Sequence, residues 1–220
     1  MGEPTAAENP LLQQTGLPRF DLIKDEHVEP GMRALLGEAT ARFDALERTA
    51  RPEWSLLEEL ERIGERVGYG WNIVGHLLGV RNTAALRAAH EAVQPEIVAF
   101  NIRVSQSEPV YKALCELRDG PAWSHFDAAQ RRIVEQSIKE AELSGIALEG
   151  EARARFNQIQ TELAELSTRF GNNVLDSTKA FELVLTDPAE VDGLPERARR
   201  LYAQSARTAG HEGATAESGP

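Results

Sequence analysis

Residues 126–176 decide the fold, and their sequence is FDAAQRRIVEQSIKEAELSGIALEGEARARFNQIQTELAELSTRFGNNVLD. In the second half of this stretch apolar residues recur every three or four positions, which predicts one apolar stripe along a helix. The stripe consists of Phe156, Ile159, Leu163, Leu166, Phe170 and Val174. The first half places Ile133, Val134, Ile138 and Ala141 on one side of a second helix. We therefore predict a helical hairpin in which these two apolar faces pack together.

Local signals bound both helices of this hairpin. Asp127 followed by Gln130 has the pattern of a capping box, which predicts a helix start. Gly145 and Gly150 lie in the connection, where glycine favours a helix end and a turn. Residues 176–179, Asp-Ser-Thr-Lys, break the apolar period and predict the end of the second helix.

The segments before the hairpin also have helical periodicity. A helix is predicted from about Val28 to Thr49, with Pro30 in its first turn. Ser55 and Glu58 form a second capping-box pattern, which predicts a short helix through Val67. The glycine-rich segment 68–78 then favours close helix packing around Trp71.

Two further helices are predicted between this segment and the hairpin. One runs from residues 82–83 to about Val93, and Pro95 is expected to separate it from a long helix that includes positions 97–117. Turn-forming residues 118–121 close the long helix.

The predicted fold class is mainly α, a multi-helix array with long antiparallel helical hairpins and at most one or two short strands near 180–186. Residues 1–27 are expected to form an extended arm, 28–206 a helical domain and 207–220 a flexible tail. Residues 181–186 alternate apolar and polar side chains and form the single strand candidate, which needs a partner strand. A last helix is predicted from residues 194–196 to about Ala206.

Composition limits the kinds of partner. The 220 residues include 24 basic and 35 acidic side chains, for a net charge of -11. This charge repels nucleic acids and anionic membranes, so neither is an expected partner. The basic clusters 131–132 and 197–200 lie near acidic residues on predicted helices and are interpreted as solvated faces.

The chain has no signal-peptide pattern and no apolar run of about 18 residues, so we expect a soluble, cytoplasmic protein. It has one cysteine, Cys115, so an internal disulfide is excluded. Cys115 shares the apolar phase of Leu114 and Leu117 and is expected to be a buried thiol.

Two His-Glu pairs match part of the motif of a zinc-binding helix. The pair His90-Glu91 is followed by Gln94 and the pair His211-Glu212 by Thr215, so each lacks the second histidine of a zinc helix. His27, His76 and His125 are isolated, Ile73 occupies a glycine position of the dinucleotide fingerprint, and there is no nucleophile elbow. The carboxylates Glu58, Glu59 and Glu61 are interpreted as solvated. We therefore assign no catalytic, cofactor-binding or metal-ligating residue.

Several separated segments together are similar to one family. They are the lead at residues 9–12 and 17–20, then residues 23–30, 71–80, 142–148 and 166–176, in the family's order and spacing. Over roughly residues 9–213 the chain resembles the N-terminal region of the zinc metallopeptidases that include oligopeptidase A, thimet oligopeptidase and neurolysin.

The resemblance implies two mainly helical halves flanking a deep channel that admits short peptides and excludes folded proteins. The family's His-Glu-x-x-His zinc helix and further glutamate ligand lie in its C-terminal half, so zinc is expected there and no cofactor is expected in this chain. This chain would supply one wall of the channel, and the strand at 181–186 would pair with segments that follow it in the family. The departure from the family pattern after Ala214 suggests a truncation, a frameshift or an excised domain.

Three hypotheses of function follow. The chain is a non-catalytic N-terminal domain of an oligopeptidase A-like enzyme; or it is a fragment or component of an active zinc oligopeptidase that requires the C-terminal half; or it is a free-standing helical module that binds peptides or a protein. Short peptides are expected as partners only in the full enzyme, and self-association or pairing with a catalytic half is expected of the isolated chain.

Overall fold

The computed structural model describes residues 9–217, and within them the fold is mainly α, as predicted. The helices are α1 (Val28–Thr49), α2 (Trp54–Val80), α3 (Ala84–Ser105), α4 (Glu108–Asp119), α5 (Ala128–Leu143), α6 (Gly150–Ala180) and α7 (Glu196–Thr208). The chain divides into two compact units, Met1–Phe170 and Gly171–Pro220. Residues 1–8 of the predicted arm and 218–220 of the predicted tail lie outside the described residues.

Helix α1 is the centre of the first unit, and its predicted bounds are confirmed. Its apolar residues recur at helical spacing, and Met32, Leu35 and Phe43 are at most 1% exposed. The helix packs against both α2 and α3, so it carries apolar side chains over more than one face. The ring of Phe43 lies edge-on to Phe100 of α3, with 6.3 Å between centroids.

Helix α2 is a single long helix, so the prediction of a short helix that starts at Ser55 is wrong. Glu53 is the N-cap residue, and the helix continues through Gly68 and Gly70 to Val80. A helical glycine costs about 1 kcal/mol relative to alanine, but buried residues before and after the glycines, such as Val67 and Val74, hold both parts on the core. At Gly70 a Cβ atom would lie 2.7 Å from Leu35 Cδ1 and 3.0 Å from Met32 Sδ. The predicted close packing is therefore present: α1 approaches Gly70, and the adjacent Trp71 stacks on a ring of α3.

Helix α3 continues through Pro95, where a separation was predicted. Proline removes one helical hydrogen bond and crowds the preceding turn. Pro95 and Glu91 are both exposed, so water can solvate the freed carbonyl, while buried Val93 and Ile97 keep both halves on the core. The actual break lies at residues 106–107, because Pro109 stands in the first turn of a new helix, α4.

The arm before α1 is docked by one buried amide. Asn9 is 2% exposed, and its Nδ2 donates to the carbonyl of His27 at 2.7 Å. The backbone N–H of Leu11 donates to Asn9 Oδ1 at 3.0 Å, and Leu11 is fully buried. The apolar residues of this segment are therefore part of the core of the first unit.

Helix α5 starts with the predicted capping box. Gln130 N donates to Asp127 Oδ1 at 2.8 Å, and Asp127 N donates to Gln130 Oε1 at 3.1 Å. The helix packs against α4, and Val134 and Ile138 are buried there. Tyr111 Oη of α4 donates to Glu142 Oε1 at 3.0 Å, and this hydrogen bond to the carboxylate raises the pKa of Tyr111 to about 12.

The predicted packing of α5 against the α6 stripe is wrong. The apolar face of α5 packs against α4. This face is therefore not free to pack against α6. The connection itself has the predicted turn chemistry, since Gly145 and Gly150 adopt φ values of +83° and +53°. The chain therefore turns where expected, although the two helices do not bury each other's stripes.

In the second unit α6 continues to Ala180, four residues beyond the predicted end. Residues 181–187 are irregular, so the predicted strand does not form; none of the described residues supplies a paired neighbouring strand. Helix α7 begins at Glu196, as predicted, and ends at Thr208. Residues 209–217 form turns and irregular backbone with an isolated β-bridge residue at Thr215.

The rings of Trp71 and His90 stack between α2 and α3. Their centroids are 4.4 Å apart and the interplanar angle is 16°. His90 is 7% exposed, and its Nδ1 has no hydrogen-bond partner among the described residues. Burial lowers the pKa of His90 below its ordinary value, because the charged form is poorly solvated there.

The Gly70 contact predicts a position-specific stability effect. We expect Gly70→Val to lower the free energy of unfolding by about 1–3 kcal/mol, because the added methyl groups overpack Leu35 and Met32. Gly64→Val is the matched control in the same helix, since a Cβ at Gly64 meets nothing within 4 Å. Its effect should stay within about 0.5 kcal/mol. Urea unfolding monitored by circular dichroism measures both, and equal losses would contradict the close-packing argument.

His90 predicts a pH dependence of stability. Its folded-state pKa is lowered, so below about pH 6.5 the unfolded chain binds the proton more readily than the folded chain. The titration of His90 therefore leaves the free energy of unfolding unchanged above about pH 6.5. It lowers the free energy of unfolding as the pH falls toward the folded-state pKa of His90. His90→Phe keeps the ring stack and removes the titration. Urea midpoints at pH 7.5 and 5.0 should therefore differ less in the variant; equal differences in both proteins would count against this assignment.

Candidate functional site

The most unusual surface of the first unit is the apolar stripe of α6. Leu163, Leu166 and Phe170 are 52%, 54% and 71% exposed, and Ile159 is 38% exposed. Large apolar side chains that are contiguous and exposed usually mark an interaction surface. We refer to Ile159, Leu163, Leu166 and Phe170 as the α6 stripe.

Polar side chains of α3 hold α6 in place. Gln94 Nε2 donates to the carbonyl of Ala164 at 3.0 Å and to Thr168 Oγ1 at 2.8 Å. Gln106 Nε2, at the C-terminal end of α3, donates to the carbonyl of Ser144 at 2.8 Å and to Asn157 Oδ1 at 2.7 Å. We call these contacts the polar seam.

Arg153, in the first turn of α6, completes the seam. Its Nε donates to Gln106 Oε1 at 3.1 Å, and its Nη2 donates to the Gln106 carbonyl at 3.3 Å. The seam therefore fixes the rotation of α6 by hydrogen bonds whose partners are on one side of the helix. Because α3 binds the seam side of α6, the α6 stripe stays outside the core.

An open cavity of about 560 Å³ lies between α3, the end of α5 and α6. Its lining is a mixture of apolar and small polar side chains, among them Val98, Ile102, Leu143, Phe156 and Leu163. Leu143 is 69% exposed, and Phe156 is half-buried close to Gly145. The cavity adjoins the stripe through Leu163, so it extends the apolar surface toward α3.

A second cavity, of about 600 Å³, lies on the other side of the seam and is polar. Arg103 in its wall donates to Glu47 Oε2 at 2.6 Å and also contacts Asp44. These hydrogen bonds, with Glu47 the stronger influence, raise the pKa of Arg103 above its ordinary value. Ser107 Oγ donates to Glu47 Oε1 at 2.7 Å. The charges of this cavity are largely compensated within the unit.

The residues considered for chemistry lie apart from one another. His90 is buried under Trp71, and Gln94, where a zinc helix would carry its second histidine, is part of the polar seam. His211 Nε2 lies 2.8 Å from Glu182 Oε1. Within residues 9–217 no three His, Cys, Asp or Glu side chains converge in a way that could hold a metal ion.

The remaining candidate groups have structural contacts. Cys115 is only half-buried, so the prediction of a buried thiol is wrong in degree; it lies at the edge of the core. Glu59 accepts from Arg42 Nη2 at 2.6 Å, and this lowers the pKa of Glu59. Arg131 stacks over Trp123 at 5.8 Å. Arg200 pairs with Glu196 one turn before it.

Sequence patterns identified the stripe but not the seam that exposes it. Gln94 and Gln106 are single polar residues beside apolar positions of α3, and their side chains reach across more than 50 residues of sequence to α6. A helical pattern records which face is apolar, but it does not identify long-range hydrogen-bond partners.

Among the described helices, none is long and apolar enough to cross a membrane.

Comparison with known proteins gives a consistent result. The model of the neurolysin/thimet oligopeptidase N-terminal domain matches residues 32–153. The probable cytosolic oligopeptidase A of Arabidopsis thaliana is 48% identical over 219 residues, covering 99% of this chain and 31% of that protein. The organellar oligopeptidase A of the same plant is 48% identical over 221 residues, covering 100% of this chain and 28% of that protein.

A bacterial relative agrees with this pattern. Oligopeptidase A of Escherichia coli (strain K12) is 35% identical over 192 residues, which are 86% of this chain and 28% of that protein. The chain thus spans less than a third of the length of these relatives. The matched residues include most of α1, all of α2 to α5 and the first residues of α6, so they contain most of the buried core and the α3 side of the seam. The chain therefore belongs to the oligopeptidase A/thimet oligopeptidase family, and it corresponds to the N-terminal domain of that family.

Proposed function

We propose that this chain is the non-catalytic helical domain of a zinc metallo-endopeptidase that degrades short peptides, and that it forms one wall of the substrate channel. The catalytic centre, with its zinc ion, belongs to the C-terminal part of such an enzyme. In this proposal the chain contributes shape and an interface rather than reacting groups.

The observation that carries the proposal is the exposed α6 stripe. Four large apolar side chains on one helix face, extended by the cavity that Leu143 and Phe156 line, form a surface suited to burial against another protein domain. The polar seam holds this surface outward, and the relatives are more than three times as long as the chain. A second domain of the same enzyme is the occupant that these facts favour.

We also propose that the protein is cytoplasmic. The proposal is supported by the Arabidopsis relative named as cytosolic, which is 48% identical to this chain.

The first test is complementation. The purified chain with zinc should not cleave a quenched fluorescent peptide, and addition of a separately expressed C-terminal remainder of an oligopeptidase A relative should give chelator-sensitive cleavage. The double variant Leu166→Ser with Phe170→Ser should lower the recovered rate at least about tenfold, because two central apolar contacts are lost.

A matched variant controls for the helix itself. Glu165→Ser with Arg169→Ser has the same spacing on α6, changes exposed residues next to the stripe and leaves the net charge unchanged. It should complement as well as the original chain. Zinc-dependent turnover by the chain alone, or equal loss in both double variants, would contradict the proposal.

The uncovered stripe also predicts self-association of the isolated chain. Sedimentation coefficients should rise with protein concentration, because two stripes can bury each other in the absence of another domain. Leu166→Ser with Phe170→Ser should remove this dependence, while Glu165→Ser with Arg169→Ser should retain it. A single monomeric species at high concentration in analytical ultracentrifugation would argue against self-association through the α6 stripe.

A further inference from the structure

The arm before α1 is held to the first unit at two separate places. The first, residues 9–14, places Leu11 fully buried in the core. Asn9 is buried beside it, and Gln14 Nε2 donates to the carbonyl of Arg66 in α2 at 2.8 Å. We call residues 9–14 the first anchor, and it supplies one large apolar side chain to the core.

The second anchor is formed by residues 23–27, directly before α1. Ile23 is 2% exposed, and its carbonyl accepts from Arg81 Nη1 at 3.1 Å. The carboxylate of Asp25 accepts from both Arg81 and Thr83. This anchor therefore joins the arm to the end of α2 and to the start of α3.

The loop between the anchors, residues 15–22, lies on the surface. Leu17 and Phe20 are 87% and 42% exposed, and Tyr69 Oη donates to the carbonyl of Gly16 at 3.3 Å. Within the part of the chain that the structure describes, no backbone–backbone hydrogen bond joins this loop to a segment outside the arm. Exposed loops of this kind are preferred sites of proteolytic cleavage, because they can enter a protease without unfolding of the core.

The apolar side chains of the loop favour cleavage at one bond. Leu17 is followed by a proline, whose ring removes the N–H and fixes the backbone. Leu22 is followed by the buried Ile23, which is part of the second anchor. Phe20 is followed by the exposed Asp21, so both sides of the Phe20–Asp21 bond are accessible.

We propose that the arm is a clasp that is opened by proteolytic processing at Phe20–Asp21. An endopeptidase that accepts a large apolar side chain hydrolyses this bond. The hydroxyl of water is added to the carbonyl carbon of Phe20, and its hydrogen is added to the nitrogen of Asp21. The first anchor then dissociates, and the loss of Leu11 from the core lowers the stability of the first unit.

Dissociation follows from the small size of the first anchor. In the intact chain the loop holds this anchor beside its site, so its docking does not cost the translational freedom of a separate molecule. After hydrolysis that cost must be met mainly by one buried leucine and by the hydrogen bonds of Asn9 and Gln14. These contacts are too few for a stable complex at micromolar concentration.

The consequence is a control of the lifetime of the folded chain. A cleaved chain without Leu11 unfolds more often, and proteases remove unfolded chains. This inference goes beyond the proposed function, because it concerns the arm and depends neither on the α6 stripe nor on a catalytic domain.

Limited proteolysis of the whole chain tests the cleavage site. Chymotrypsin cuts after large apolar side chains, and mass spectrometry should show that its first cut within residues 9–170 follows Phe20. Phe20→Ser should slow the loss of the arm at least about tenfold. Leu17→Ser is the matched control in the same loop and should leave the rate unchanged. A first cut elsewhere in the first unit, or equal effects of the two variants, would overturn the assignment of this site.

Opening of the clasp is tested on one protein before and after cleavage. The recognition sequence of a site-specific endopeptidase replaces residues 15–21, so the uncut form is the control for the cut form. After cleavage, native mass spectrometry at micromolar concentration should show loss of the first anchor. In urea unfolding, the equilibrium constant for unfolding should rise at least about tenfold, because a buried leucine is removed.

A second variant tests whether Leu11 carries the effect. With Leu11→Ala in the same cleavable protein, the uncut form should already show the raised equilibrium constant, and cleavage should add less than about twofold. Retention of the first anchor after cleavage, equal urea midpoints before and after cleavage, or an undiminished effect of cleavage in Leu11→Ala would each overturn the inference.

Discussion

The arrangement of the first unit depends on the hydrogen bonds of the Gln106 carboxamide. This carboxamide bonds the carbonyl of Ser144 and Asn157 through its nitrogen and receives Arg153 at its oxygen, so one side chain links the end of α3, the connection after α5 and the start of α6. Hydrogen bonds are directional, whereas apolar contacts are not. They therefore fix the rotation of α6 and keep its apolar side outward, against the tendency of that side to be buried.

The rest of the unit is built by ordinary burial around α1. Gly70 lets α2 approach Leu35 and Met32, and Asn9 ties the preceding arm to the end of the short turn before α1. These contacts produce a core that is complete without α6. The first unit can therefore expose an apolar helix face without losing the stability of its centre.

Sequence patterns predicted the mainly helical class, the bounds of α1, the capping box of α5 and the start of α7. They failed where tertiary contacts outweighed local signals. Gly68 and Pro95 indicated breaks, but buried residues on both sides kept α2 and α3 continuous, and the break at 106–107 had only the weak signal of Pro109. The stripe on α6 was identified from its period, but its partner could not be, because a period does not specify which surface covers it. Arg153 and Gln106 have no motif; their roles come from hydrogen-bond distances alone.

The order of core residues along the chain has a consequence for biosynthesis. Among residues 9–217, the buried cluster begins at Leu11 and is complete at Ile138, before any residue of α6. On a ribosome this core can close while later segments are still being made, since domains fold as units in the order of their synthesis. In the proposed enzyme, the α6 stripe then emerges on an already folded body and stays in contact with water until the second domain of that enzyme covers it. The interval between these two events is when the nascent protein would be most exposed to aggregation and most dependent on chaperones.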